Sequence, residues 1–350
     1  MCLICLLSTN FVRNMYIMNI KKFFLSFLLA LLTMPIAAQH GKVALVLGGG
    51  GAKGAAEVGV IKVLEEEGIP VDMVVGTSIG SICGALYAVG YTGEQMDSLF
   101  RCQDWGYLLS DREDPDDHSV FSFKNNVPHV FGRPLWKDKD TNKGKSKALD
   151  DMSGEGLVRG RNIITFFEQV IPNTDSLASF DSLQRPFRAV AYDLRSKQEV
   201  HIDHGSIPLA MRASMSIPLF FTPVEIEGKK LIDGGIVNNL PVDVARDMGA
   251  DFVIAIDLSV EGADLNREET FWDKMRMKFG ISDRPKYEQN RPNADLYLNP
   301  PLQGYNVESF SKRKIAEMIE IGEKYARKNI KQIRKFAKQV RKSNKSGLGH

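Results

Sequence analysis

Apolar positions along this chain follow two rhythms, short unbroken runs and stripes at helical spacing, and glycines mark the switches between them. Lys42 to Leu47 reads as a buried strand that runs into Gly48-Gly49-Gly50-Gly51-Ala52-Lys53-Gly54. A helix then carries Val58, Ile61, Val63 and Leu64 and stops at Gly68-Ile69-Pro70. A second apolar strand, Met73 to Val75, breaks at Gly76-Thr77-Ser78-Ile79-Gly80. Beyond it Ile79, Ile82, Leu86 and Val89 continue at helical spacing to Gly90. Strand, helix, strand, helix at this interval predicts a parallel sheet with helices packed on it.

From Thr92 to about Asp151 the pattern weakens. Asp111 to His118 is acidic, and Lys137 to Lys147 has almost no apolar residue. A polar insertion near residues 111–150 is expected, either simply solvated or covering a site as a lid. Order returns with a helix around Ile163, Phe166, Phe167 and Val170. A strand pair follows, Phe187 to Leu194 and Gln198 to Ile202, turning at Arg195-Ser196-Lys197. Ser206 to Ile217 reads as a short helix ending at Pro218. Val224 to Ile232 reads as a hairpin turning at Gly228 that delivers Asp233-Gly234-Gly235 at a strand end. A helix from Pro241 to Met248, a buried strand from Phe252 to Leu258, a helix around Trp272, a strand near Leu296 to Leu298 and one long C-terminal helix complete the prediction.

Composition narrows the class. A chain of 350 residues with 43% hydrophobic and 25% charged residues can bury a full core. Its net charge of +2 hides an asymmetry, because no Asp or Glu follows Glu323 while Lys and Arg recur to the end. At the other end, Lys21-Lys22, the apolar run Phe23 to Leu32 and Pro35-Ile36-Ala37-Ala38 resemble an export signal spanning residues 1–38, cleaved after Ala38. Residues 1–17 fit no standard n-region, so Met18 is the expected start. The alternative is an uncleaved anchor, for which the run is short. The expected location is therefore exported, periplasmic or secreted. Of the four cysteines, Cys83 and Cys102 lie outside this segment. Cys83 is expected as a buried free thiol, and no Cys/His cluster has metal-ligand spacing.

Three short patterns carry candidate chemistry. Gly76-Thr77-Ser78-Ile79-Gly80 has the form of a nucleophile elbow, a serine on a tight strand-to-helix turn whose flanking glycines make room for close-passing chain. The plain alternative is a serine N-capping a buried helix. The glycine run admits three readings. A phosphate-cradling loop fails, since Lys53 precedes Gly54 and Ala55 follows it. A dinucleotide fingerprint matches from Gly49 to Gly54 but lacks an acidic residue at the end of the second strand, where Gly76-Thr77-Ser78 stands. The third reading is a nest of main-chain N–H groups for a developing oxyanion. The third pattern is Asp233, between an apolar strand and two glycines, either a carboxylate at a cleft or an ordinary Asp-Gly turn. A Ser-acid-His order built on Asp233 is nearly excluded, because only His350 follows it. His201 and His204 fall on a strand and its turn, positions expected at the surface.

Taken together, the segments 48–54, 76–80 and 233–235 resemble the patatin-like phospholipases, in that family's order and separation. Arg212-Ala213-Ser214 leading to Ile217-Pro218, and Asn238-Asn239-Leu240-Pro241, support the likeness over Lys42 to Leu258. The resemblance implies an α/β fold, a three-layer α/β/α sandwich around a mostly parallel sheet. The hydrolase domain would span residues 39–310, with a basic helix and tail over 311–350. It also implies a Ser-Asp dyad without histidine: Ser78 as nucleophile, Asp233 as proton acceptor and the Gly49, Gly50 and Gly51 amides as oxyanion hole. Lys53, Gly54, Gly76, Gly80, Gly234 and Gly235 are the supporting motif positions.

The implied reaction is hydrolysis of a lipid ester, with a phospholipid or lysophospholipid as substrate and no metal, cofactor or nucleic acid. An ordinary carboxylate, with a pKa of about 3.9, is a weak base for this task, so burial is expected to raise it. In the C-terminal helix Ala326, Ile330, Ile333, Ala337 and Val340 recur on one side with lysines and arginines elsewhere. Such a helix lies either on anionic lipid or against its own domain. A nucleotide-dependent oxidoreductase and a catalytically silent lipid-binding module are the rival classes.

Overall fold

A computed structural model describes residues 41–113, 122–124, 127–130, 133–134, 158–174, 176–259 and 283–346. The expected export signal over residues 1–38, the helix expected around Trp272 and most of the expected polar insertion lie outside the described residues. Within the insertion, Ser122–Lys124, Val127–Val130 and Arg133–Pro134 pair as a small antiparallel sheet.

The main sheet is built from β1 (Val43–Leu47), β2 (Met73–Thr77), β3 (Phe187–Asp193), β4 (Gln198–Ile202), β5 (Val224–Ile226), β6 (Lys229–Asp233), β7 (Phe252–Ile256) and β8 (Leu296–Leu298). Its order is β8-β7-β1-β2-β3-β6-β5, with β4 also paired to β3. The first five strands of that order run parallel; β4, β5 and β6 are antiparallel to their partners.

Alternation along β1 explains the layers. Val43, Leu45 and Leu47 join one apolar cluster and Ala44 and Val46 another, so both faces of the sheet are buried. The larger layer holds α1 (Ala55–Glu66), α2 (Ile79–Ala88), α3 (Gly93–Cys102), α4 (Trp105–Leu108), α5 (Arg161–Val170) and α6 (Ile207–Ser214). The thinner layer holds α7 (Val242–Asp247) and, through Tyr287, α8 (Arg284–Asn290). Every residue of α2 is buried, as its unbroken apolar and small composition requires.

Two differences from the sequence reading have physical causes. The weak pattern after Thr92 conceals α3 and α4. A capping box between Thr92 and Gln95 starts α3, yet its apolar stripe is only Met96 and Phe100 with a half-buried Leu99. Its Asp97 is buried because Lys62 and Arg101 both bond it. The single C-terminal helix is two, α9 (Lys312–Lys328) and α10 (Ile330–Ser346), articulated at Asn329. Both belong to the core. α9 buries Ile315, Met318, Ile319 and Ala326, and its Gly322 lies against the Ala56 main chain of α1.

The apolar side of α10, with Ile333, Phe336, Ala337 and Val340, is buried as well. Phe336 meets Phe252 edge-on, with ring centroids 6.0 Å apart, and Arg334 pairs with Glu67 at 2.7 Å. The helix therefore packs on the domain, and its exposed side keeps Lys331, Lys335, Lys338 and Lys342.

Candidate active site

Ser78 stands between β2 and α2 with φ 56° and ψ −125°, a conformation an L-residue adopts only when its surroundings impose it. It occupies the N-cap position, but its side chain caps nothing. The capping alternative is therefore not the one the chain adopts. The two flanking glycines make the turn possible. A Cβ on Gly76 would lie 2.6 Å from the Ser81 Cα, and one on Gly80 would lie 2.8 Å from the Gly48 carbonyl oxygen. Ser81 Oγ donates to the Ser78 carbonyl at 2.6 Å, and Thr77 Oγ1 donates to the Asn238 carbonyl at 2.9 Å. The hydroxyl of Ser78 is thus presented from a turn locked on both sides.

The sheet brings Asp233 to this turn. β4 occupies one edge of β3 from Ala189 to Asp193, so β2 and β6 share the other edge. On that edge Thr77 stands opposite Val190, and Asp233 stands opposite the next residue, Ala191. β2 and β6 approach from opposite directions and meet head to head, which places the residue after Thr77 beside Asp233.

The Asp233 carboxyl is fully buried. Oδ1 accepts from the Gly235 amide at 2.7 Å, closing the Asp-Gly turn, while Oδ2 has no hydrogen-bond partner among the described residues. Burial pushes the carboxyl up to about 7, opposed by the nearby Ser78 hydroxyl and the Gly235 amide. Gly234 lets this turn sit on β3, since a Cβ there would lie 2.5 Å from the Val190 carbonyl oxygen.

The glycine loop follows β1 and is tied at both ends. The Gly48 amide donates to the Ile256 carbonyl at 3.1 Å, and the Ala52 amide donates to the Val307 carbonyl at 2.9 Å. Gly49 departs from the expected donor role. Its amide donates to the Asn239 carbonyl at 3.2 Å, while Asn239 Nδ2 donates back to the Gly49 carbonyl at 3.2 Å. That reciprocal pair anchors the loop and leaves Gly50 and Gly51, whose amides donate to no acceptor among the described residues. Lys53 reaches away, its Nζ donating to the Leu258 carbonyl at 2.6 Å. Gly54 makes room for the Ile79 side chain.

Of the histidines whose side chains are described, His201 bonds Glu199 at 2.7 Å and His204 bridges Asp203 and Glu227. Neither reaches Ser78 or Asp233. Two residues without an expected role do enter the site. Asn239 also lies against the Asp233 turn, with Oδ1 2.7 Å from where a Gly235 Cβ would stand. Ser214, at the end of α6, accepts the Ser78 amide. Both belong to segments that the resemblance made visible, yet neither has a short motif of its own.

A family model described as patatin-like phospholipase matches residues 45–246. Patatin-like phospholipase domain-containing protein 6 of Homo sapiens is 29% identical over 313 residues, covering 81% of this chain and 20% of that protein. Patatin-like phospholipase domain-containing protein 7 of Mus musculus is 30% identical over 313 residues, with the same coverage of 81% and 20%. Lysophospholipase nte1 of Aspergillus fumigatus is 29% identical over 325 residues, covering 83% and 18%. The chain spans about a fifth of the length of these relatives. Among solved structures, VipD from Legionella pneumophila aligns with a TM-score of 0.47 at 16% identity, covering 85% of this chain and 67% of that one. By the extent of the family match, this chain belongs to the patatin-like phospholipases.

Proposed function

We propose that the chain is a lipid acyl hydrolase, an esterase of the phospholipase A or lysophospholipase type, working through a Ser78-Asp233 dyad. The observation that carries this reading is the pairing of a serine held in a strained turn, its hydroxyl free of capping, with a buried carboxyl that keeps one oxygen unengaged. Ser78 Oγ attacks the ester carbonyl carbon as its proton passes to Asp233 Oδ2. The tetrahedral oxyanion would be met by the Gly50 and Gly51 amides, each such donor contributing about 3–4 kcal/mol in comparable hydrolases. Collapse breaks the ester C–O bond, and Asp233 returns the proton to the departing alcohol. Water then repeats the sequence on the acyl-serine. A standard hydrogen bond between the two side chains is not required beforehand, because catalytic bonds often tighten only with substrate bound.

The names of the relatives support a lipid substrate, read here as a phospholipid or lysophospholipid. Export through residues 1–38 and a peripheral contact between anionic lipid and the exposed lysines of α10 complete the reading. Among the described residues, no helix is long and apolar enough to cross a membrane.

The test is covalent and kinetic. A fluorophosphonate is expected to label Ser78 alone, and Ser78→Ala and Asp233→Asn are each expected to abolish lysophospholipid hydrolysis with the circular dichroism spectrum retained. Turnover surviving in either folded variant overturns the dyad.

A further inference from the structure

The strained turn at Ser78 leaves its amide without an acceptor in its own helix. The acceptor comes from α6. Ser214 Oγ takes the Ser78 N–H at 2.9 Å and gives its own proton to the Val190 carbonyl at 2.5 Å. Ser214 is fully exclusive of solvent and Ser78 nearly so, with 0% and 5% exposure, so water cannot stand in for the hydroxyl.

Two residues further on, the Ser216 carbonyl accepts the Asp233 amide at 3.0 Å. Ser216 is itself clasped by Arg212, whose Nη1 donates to Ser216 Oγ at 2.5 Å while that hydroxyl donates to the Arg212 carbonyl at 2.8 Å. The buried guanidinium also donates to the Arg159 and Thr222 carbonyls at 2.9 and 3.1 Å and lies 4.4 Å from the Phe221 ring centre. The end of α6 is thus fixed by many bonds, and it grips the main chain of both members of the dyad.

We propose that Ser214 is a positioning residue: from the fixed end of α6 its hydroxyl holds Ser78 in register with Asp233, which Ser216 holds from the same helix end. The inference rests on the Ser-Asp reading given above. Without the hydroxyl, the Ser78 N–H and the Val190 carbonyl both lose a buried partner, and the strained Ser78 backbone is held only through its carbonyl, by Ser81, and through Thr77. A small displacement of a reacting group suffices for a large rate loss, on the order of 10²-fold for about 1 Å.

The experiment compares the full chain with Ser214→Ala and Ser214→Thr, using a monomeric short-chain ester. The expected result for Ser214→Ala is a fall in kcat per fluorophosphonate-labelled Ser78 on the order of 10²-fold. KM and the pH midpoint of kcat should stay unchanged, because neither Asp233 nor its burial is touched. Ser214→Thr, which keeps the hydroxyl, should recover most of the loss. A second readout needs no activity: hydrogen exchange at the Ser78 amide should accelerate at least about tenfold in Ser214→Ala, while amides inside α2 keep their protection. The proposal is overturned if Ser214→Ala retains the parental kcat per labelled serine, if its loss merely tracks the unfolded fraction, or if Ser78 exchange is unchanged. Should the parent prove inert toward esters and fluorophosphonate, the hydrolase reading fails by itself, and the exchange comparison still decides the role of Ser214.

Discussion

The two oxygens of Asp233 have different surroundings, and the difference ties the proposed role of the residue to a cost in stability. Oδ1 closes a turn; Oδ2, buried without a partner among the described residues, makes ionisation costly. With the carboxyl raised from 3.8 to about 7 by burial, the fraction able to accept a proton grows with pH. Turnover is expected to rise through about pH 7 and level off above it, and a pH profile that is flat from about pH 5 to about pH 9 would contradict this. Stability runs the other way. Between the unfolded value and the folded one, the native state retains a proton that the unfolded chain has released. Raising pH across that window therefore favours unfolding, by up to about 4 kcal/mol, and the loss is complete above the folded value.

Asp233→Asn, which carries no charge to bury, should melt higher than the parent near pH 8, with the gap closing toward pH 4. Thermal unfolding at the two pH values checks it; a gap independent of pH would mean that ionisation is not the cause. Ser78 and Asp233 were legible because each sits in a short glycine-flanked pattern. Ser214 and Asn239 were not, since a hydroxyl or an amide acquires its role from partners far away in the chain.

At the scale of elements, packing at the elbow is tighter than propensity alone would demand. Gly80 lies in the first turn of α2, where a methyl group would meet the Leu47 carbonyl carbon at 2.6 Å. Gly80→Ala is expected to cost about 1–3 kcal/mol in chemical denaturation, as overpacking does, and to lower kcat by moving the turn. A variant as stable and as active as the parent would show that β1 and α2 can part without consequence. The β-α-β-α beginning, the hairpin into Asp233 and the strand at Leu296–Leu298 were all readable, because continuous apolar runs and glycine stops leave few alternatives. Helix α3 was hidden for the opposite reason: a short apolar stripe of Met96, Leu99 and Phe100 and a salt-bridged Asp97 anchor it, and such a charge cluster reads as surface until Lys62 is known to lie beneath it. The break at Asn329 was equally invisible, since α9 and α10 carry similar basic amphipathic patterns on either side of it.

The whole molecule separates its chemistry from its basic surface. Phe252, which Phe336 touches, is the first residue of β7, and Gly41, whose Cβ would stand 3.3 Å from Ser343 Oγ, precedes β1. Helix α10 thus crosses the sheet at the starting ends of its parallel strands. Ser78 follows the finishing end of β2, roughly 15 Å away along the strands. Lipid contact through Lys335, Lys338 and Lys342 would be electrostatic, at about 1 kcal/mol per basic residue, and salt-sensitive. Reversing these three charges to Glu should abolish co-sedimentation with anionic vesicles while sparing hydrolysis of a soluble monomeric ester. Equal loss of both would mean that the helix serves the active site directly.

The meeting of β2 and β6 on one edge of β3 has a consequence for how such a chain can diverge. Because Ser78 and Asp233 are phased by neighbouring rungs, Val190 and Ala191, the polypeptide that loops out between them can lengthen, shrink or acquire a new module without disturbing their spacing. Deleting a single rung there would set serine and aspartate out of step at once, however faithfully every motif was preserved.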